Sequence, residues 1–173
     1  LQHGKIKLVI SSKPDVYALQ RAEKSGIDHC VIAKRDYITQ EEFSNALLKK
    51  LQSYQIDMIV LAGYLSILDE TIIRAYPDRI INIHPSLIPS FCGKGYYGLK
   101  VHEAALEYGV KVTGATVHLV NEIPDGGKIL LQKAVDILPS DTPEVLQQRV
   151  MEEAEWILLP QATEMIAKEI EGK

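Results

Sequence analysis

The chain has 173 residues, 46% of them hydrophobic, enough for one domain built on a single sizeable core. Its net charge of −4 is spread along the chain, which excludes the concentrated basic face of a nucleic-acid binder. No apolar run reaches the roughly 18 residues that span a bilayer, and Leu1 to Lys7 has no signal-like apolar core, so a cytoplasmic protein with no membrane partner is expected.

In chain order, Lys5 to Ser11 is a β-branched run that predicts a strand, closed by the turn-like Ser12-Lys13-Pro14-Asp15. Val16 to Lys24 has helical spacing, with Gly26 just past its end. His29 to Ala33 reads as a second strand. Thr39 and Glu42 form a capping box for a helix to about Tyr54, with an apolar stripe of Phe43, Leu47, Leu48 and Leu51. Asp57 to Ala62 is nearly unbroken apolar sequence, the pattern of a strand buried on both faces of a parallel sheet. A short helix near Asp69 to Ala75 and a strand from Arg79 to Ile83 follow. This alternation predicts an α/β fold: a Rossmann-like, mostly parallel twisted sheet with helices on both faces.

The second half changes character. Pro85 to Gly98 is a long loop and Leu99 to Tyr108 is helical. Val112 to Val120 and Lys128 to Ile137 predict a C-terminal β-hairpin with a long tip. Asp141-Thr142-Pro143-Glu144 opens a long C-terminal helix, which Pro160 is expected to kink or interrupt. Nothing marks a second domain. Cys30 and Cys92 lie far apart and read as free thiols in a reducing compartment, and the five histidines never reach zinc-ligand spacing, so no metal is expected.

Ligands of open α/β sheets bind at the carboxyl ends of the strands. Two segments there hold polar residues that a core does not need. In Asn82-Ile83-His84-Pro85-Ser86-Leu87-Ile88-Pro89, alternation puts Asn82 and His84 on one face and Ile83 on the other. An amide and an imidazole so placed suit an oxygen that becomes negative. The hairpin tip Asn121-Glu122-Ile123-Pro124-Asp125-Gly126-Gly127 carries a carboxylate, although Asp-Gly is also a common turn former. Asn-x-His at a strand end can equally be structural, and the residues alone reach an α/β domain with a candidate polar site.

These two segments, with Gly114-Ala115-Thr116-Val117-His118 between them and Gln132 after them, resemble the ordered signature of the phosphoribosylglycinamide formyltransferase family. The resemblance runs from about Lys7 to Pro160. It implies a catalytic trio of Asn82, His84 and Asp125, supported by His118 and Thr116, with His118 equally readable as a structural histidine. The implied cosubstrate is 10-formyltetrahydrofolate, bound by Tyr64, Leu65, Ser66, Ile67 and Leu68, with Ile73 as apolar wall. Gln40 and the tip residues Asn121, Glu122, Ile123 and Pro124 would also serve the folate. The implied acceptor is glycinamide ribonucleotide, beside Pro85, Ser86, Gly93 and Glu155. His3, His29 and His102 are expected to be surface or structural.

Several features depart from the family. Many relatives carry arginine where Ser66 and Gln40 stand here, which bears on polyglutamate binding, and Trp156 replaces a usual histidine. The family also begins with one more strand, a glycine-rich loop and a helix, whose backbone amides hold the substrate phosphate. This chain starts after them. The expectation is that the segment is missing through truncation or disorder, and that the present residues alone hold the nucleotide poorly. Rival resemblances are formyltetrahydrofolate deformylase, which carries a second histidine where Pro85 stands, and methionyl-tRNA formyltransferase, which adds an RNA-binding domain. A non-catalytic folate-binding module is the alternative of a different class. The oligomeric state is left open.

Overall fold

The computed structural model describes residues 1–64, 66 and 68–172. Its strands are β1 (Leu8–Ser11), β2 (Asp28–Val31), β3 (Ile59–Leu61), β4 (Ile80–His84), β5 (Val112–Leu119) and β6 (Ile129–Asp136). Its helices are α1 (Tyr17–Lys24), α2 (Gln40–Ser53), α3 (Glu70–Ala75), α4 (Leu99–Tyr108), α5 (Pro143–Val150) and α6 (Trp156–Glu171). The expected α/β architecture, C-terminal hairpin and long helix are all present.

Parallel pairing joins β1 to β2 and β3 to β4, and antiparallel pairing joins β4 to β5 and β5 to β6. The strands divide into a β1–β2 pair and a β3–β4–β5–β6 sheet. Among the described residues no strand joins β1 to β3, so each keeps one free edge. This changes the burial expected of the apolar run around β3. Ile59 and Leu61 are half-buried, and Val60 is 39% exposed.

Two apolar cores form on opposite faces of β4, because successive side chains of a strand point to opposite sides. Ile80 joins Phe43, Leu47 and Leu51 of α2 and Ile72 of α3. Ile81 and Ile83 join Val117 and Val135 of the hairpin and Leu146, Val150, Leu158 and Ile166 of the C-terminal helices. The α2 stripe is presented at a fixed start, because the Thr39 hydroxyl accepts from the Glu42 amide and Glu42 accepts from the Thr39 amide. Ile10 and Cys30 also pack against the α2 core, so this helix lies over both strand groups.

The C-terminal helix opens as the sequence predicts, with the Thr142 hydroxyl accepting from Val145 N and Pro143 at the first position. Arg149 grips the Asp141 carboxylate with two nitrogens and also donates to Asp136 O, fixing the helix to the end of β6. Pro160 does not interrupt the helix. It lies inside α6, and the chain widens one turn upstream into a π-helical segment, Met151–Glu155. A widened turn is one way a helix absorbs a disturbance of its hydrogen-bond ladder. None of the described helices is long and apolar enough to cross a membrane.

Phe43 is 1% exposed and touches strands of both groups through its core. Phe43→Ala should lower unfolding stability by about 3–5 kcal/mol, read by urea titration, because cavity and transfer terms add.

Candidate active site

The end of β4 and the hairpin supply the site. Asn82 pairs across the ladder with His118, and His84 pairs with Thr116, so all four side chains stand on one face of the sheet. Thr116 is a structural hub. Its hydroxyl donates to Ser86 O at 2.7 Å and accepts from Ile88 N and Gln132 Nε2. This ties the loop after β4 to the hairpin. Ser86 is fully buried and its hydroxyl donates to Ser90 O, so its side chain braces the loop instead of facing a nucleotide.

The hairpin tip is shaped from within. Asn121 Oδ1 accepts from Ile123 N, and Gly126 N donates to Ile123 O. Asp125 adopts a left-handed backbone with φ of 54°, which turns its side chain back toward β4. Gly127 has no room for a side chain: a Cβ would lie 1.7 Å from Leu119 O. The two glycines after Asp125 therefore serve the turn, and the aspartate is left free for the site.

The Asp125 carboxylate sits between two imidazoles. Oδ2 is 3.6 Å from His84 Nδ1, and Oδ1 is 3.5 Å from His118 Nε2. Each ring has its other nitrogen bound to a backbone carbonyl. His84 Nε2–H donates to Phe91 O at 2.8 Å, and His118 Nδ1–H donates to Leu119 O at 2.8 Å. A carbonyl can only accept, so both tautomers are set. At His118 the remaining nitrogen accepts from Asn82 Nδ2 at 3.2 Å. At His84 the remaining nitrogen, Nδ1, faces the Asp125 carboxylate.

Burial pushes the Asp125 carboxyl up, but the His118 ring, the Gly93 amide and the nearby His84 more than offset this and hold it below its ordinary value. The His118 share is smaller than its distance suggests, because Asn82 already donates to the same nitrogen. Gly93 N donates to Oδ2 at 2.8 Å. His84 itself is 4% exposed and lies one layer behind the cleft.

Asn82, His118 and Asp125 line a cleft together with Tyr64, Leu68 and the tip residues Asn121, Glu122, Ile123 and Pro124. Leu61 and Val120 line it too. Sequence reading passed over both, although each follows the alternation at its strand end. The Tyr64 hydroxyl is buried at the cleft. Ser66 lies beside Tyr64, whereas Leu65 and Ile67 fall outside the described residues. Ile73 does not reach the cleft; it packs into the α2–α3 core. Gln40 is turned inward as well, donating to Ser44, whose hydroxyl donates to the helix-capping Asp69.

Glu155 ends the π-helical turn, and burial raises its carboxyl from the ordinary 4.5 to about 6. His102 on α4 is fully buried, neither ring nitrogen has a partner among the described residues, and burial plus the nearby His84 lower it to about 4.

A Rossmann-like α/β domain with an amide, two imidazoles and a carboxylate at its strand ends is the class that the fold and site define. The formyl transferase family model matches residues 1–163, and the chain belongs to that family. It is 41% identical over 152 residues to the chloroplastic phosphoribosylglycinamide formyltransferase of Arabidopsis thaliana, covering 87% of this chain but 52% of that protein. It is 41% identical over 150 residues to the phosphoribosylglycinamide formyltransferase of Haemophilus influenzae, covering 87% of this chain and 68% of that one. The crystal structure of glycinamide ribonucleotide transformylase 1 from Symbiobacterium toebii superposes with a TM-score of 0.88 at 41% identity, over 95% of this chain and 75% of the other. The chain thus spans about half the length of the plant relative.

The two displaced titrations give opposite pH signatures. His102 stays neutral in the fold, so its contribution is complete above its ordinary 6.5 and is lost as pH falls toward 4. His102→Leu should remove roughly 3 kcal/mol of the stability difference between neutral and acid pH. Glu155 has a raised value, so it weakens the fold once pH rises through the window from 4.5 to about 6. Glu155→Gln should gain roughly 2 kcal/mol at neutral pH and nothing below that window, both read by denaturant unfolding across a pH series.

Proposed function

We propose that the chain transfers a formyl group from 10-formyltetrahydrofolate to the amine of glycinamide ribonucleotide, in the cytoplasm, as a single formyltransferase domain. The observation that carries this reading is that Asn82 and Asp125 line one edge of an apolar cleft, with His84 behind the carboxylate. Tyr64, Leu61, Leu68 and Val120 offer apolar walls that suit a pterin ring, and the buried Tyr64 hydroxyl suits a polar edge of it. The exposed tip offers backbone groups for the rest of that edge.

In the proposed step the substrate amine attacks the formyl carbon, a C–N bond forms and the formyl oxygen becomes negative. Asn82 Nδ2 has two hydrogens: one is held by His118 and the other is free to donate to that oxygen. Behind it, His84 Nδ1 is turned toward Asp125 and can accept a hydrogen bond from that carboxyl once it carries a proton. Asp125, kept ionised at neutral pH, takes the proton from the attacking nitrogen and delivers it to the departing folate nitrogen as the second C–N bond breaks. Glu155 stands on the nucleotide side of this reading, and Pro85 and Gly93 belong to the loop that borders it. The proline after His84 favours transfer over hydrolysis.

The assay is formyl transfer by the purified protein from formyltetrahydrofolate to glycinamide ribonucleotide, followed by product mass. Release of formate without the nucleotide would identify a hydrolase, and folate binding without turnover a non-catalytic module. Asn82→Ala, His84→Ala and Asp125→Ala should each lower kcat by roughly 10²-fold or more while the melting temperature changes little. Near-normal turnover in any of them removes that residue from the mechanism.

A further inference from the structure

The loop after β4 does more than leave the sheet. Within three residues its backbone binds both members of the His84–Asp125 pair: Phe91 O accepts from His84 Nε2, and Gly93 N donates to Asp125 Oδ2. To present its carbonyl this way, Phe91 holds a left-handed backbone with φ of 48°, a conformation that bulky side chains avoid. Something must hold it there. The Phe91 ring meets Tyr96 edge-on at 6.3 Å and Tyr108 at 6.0 Å, so two tyrosines clamp it. Tyr96 comes from the same loop, where Tyr96 N donates to Gly93 O, and Tyr108 ends α4 and is 81% exposed. The clamp is therefore built at the surface, while the carbonyl it directs reaches the buried His84 ring.

The geometry points to Phe91, clamped by Tyr96 and Tyr108, as a positioning residue that fixes the His84 tautomer for the proposed formyl transfer. The inference rests on that reading for its kinetic consequence, not for its structural one. With Nε2–H held by Phe91, Nδ1 is the nitrogen left for Asp125. Were the loop to lose its left-handed turn, the ring could place its proton on either nitrogen, and Asp125 would lose its oriented partner. Neither tyrosine takes part in the cleft, so any effect on turnover must travel through the loop.

The test uses the full chain with ¹⁵N-labelled histidine and the variants Tyr108→Ala, Tyr108→Phe and Tyr96→Ala/Tyr108→Ala. Nitrogen–proton correlation spectra across a pH series report which His84 nitrogen bears the proton. Wild type and Tyr108→Phe should show it held on Nε2, and the double variant should show a mixture. Turnover in the double variant should fall roughly 10-fold to 10²-fold with a changed pH–rate profile, because misplacing a catalytic group by about an ångström has that scale. KM for the formyl donor should stay within about twofold, since no ligand contact is removed, and Tyr108→Phe should restore kcat. An unchanged ring spectrum in the double variant overturns the inference, whether or not turnover falls. If wild type transfers no formyl group at all, the proposed function fails, and the spectra alone decide the role of Phe91.

Discussion

A carboxylate held nearly out of water must be given a reason to stay charged, and the site of this protein is organised around that requirement at Asp125. Burial alone raises the carboxyl. Two imidazoles and one backbone amide reverse the effect, and each comes from a different segment: β4, β5 and the loop between β4 and α4. No one of these segments forms the site by itself. The antiparallel register of β4 and β5 places Asn82 opposite His118, and the same register fixes how far the hairpin tip can reach back. Packing on both faces of β4 keeps that register, because a slip of one residue would exchange Ile81 and Ile83 with Asn82 and His84.

Opposite tautomers divide the work of the two histidines. His118 donates from Nδ1 and accepts at Nε2, which orients the Asn82 amide. His84 donates from Nε2, which directs Nδ1 to the carboxylate. The third buried histidine, His102, stays neutral beside them. A charge there would be costly in the same low-dielectric region.

Much of this was legible in the residues. Pattern and caps located the six strands and α1 to α4 to within a few positions and the C-terminal helices as one, because the apolar stripes of α2 and of the C-terminal helices are strong and their caps are explicit. Asn82 and His84 could be placed on one face by counting alone. The resemblance brought Asp125 and His118 to them, a link across 43 residues that local pattern does not contain. Three things were hidden. The exposure of Val60 depends on which strand lies next to β3, which is a tertiary fact. The inward turn of Gln40 and Ser86 depends on partners four residues on, the Ser44 hydroxyl and the Ser90 carbonyl, whose claim on those polar groups a hydrophobic pattern does not reveal. The survival of the helix through Pro160 depends on a widened turn that propensity does not describe.

Helix α2 has a consequence beyond its own packing. Its apolar stripe rests on Ile10 and Cys30 of the first strand pair and on Ile59 and Ile80 of the larger sheet. Close-packed interiors pass strain on. A shift of the β1–β2 pair would therefore be felt through α2 at the start of β4, whose far end carries Asn82 and His84.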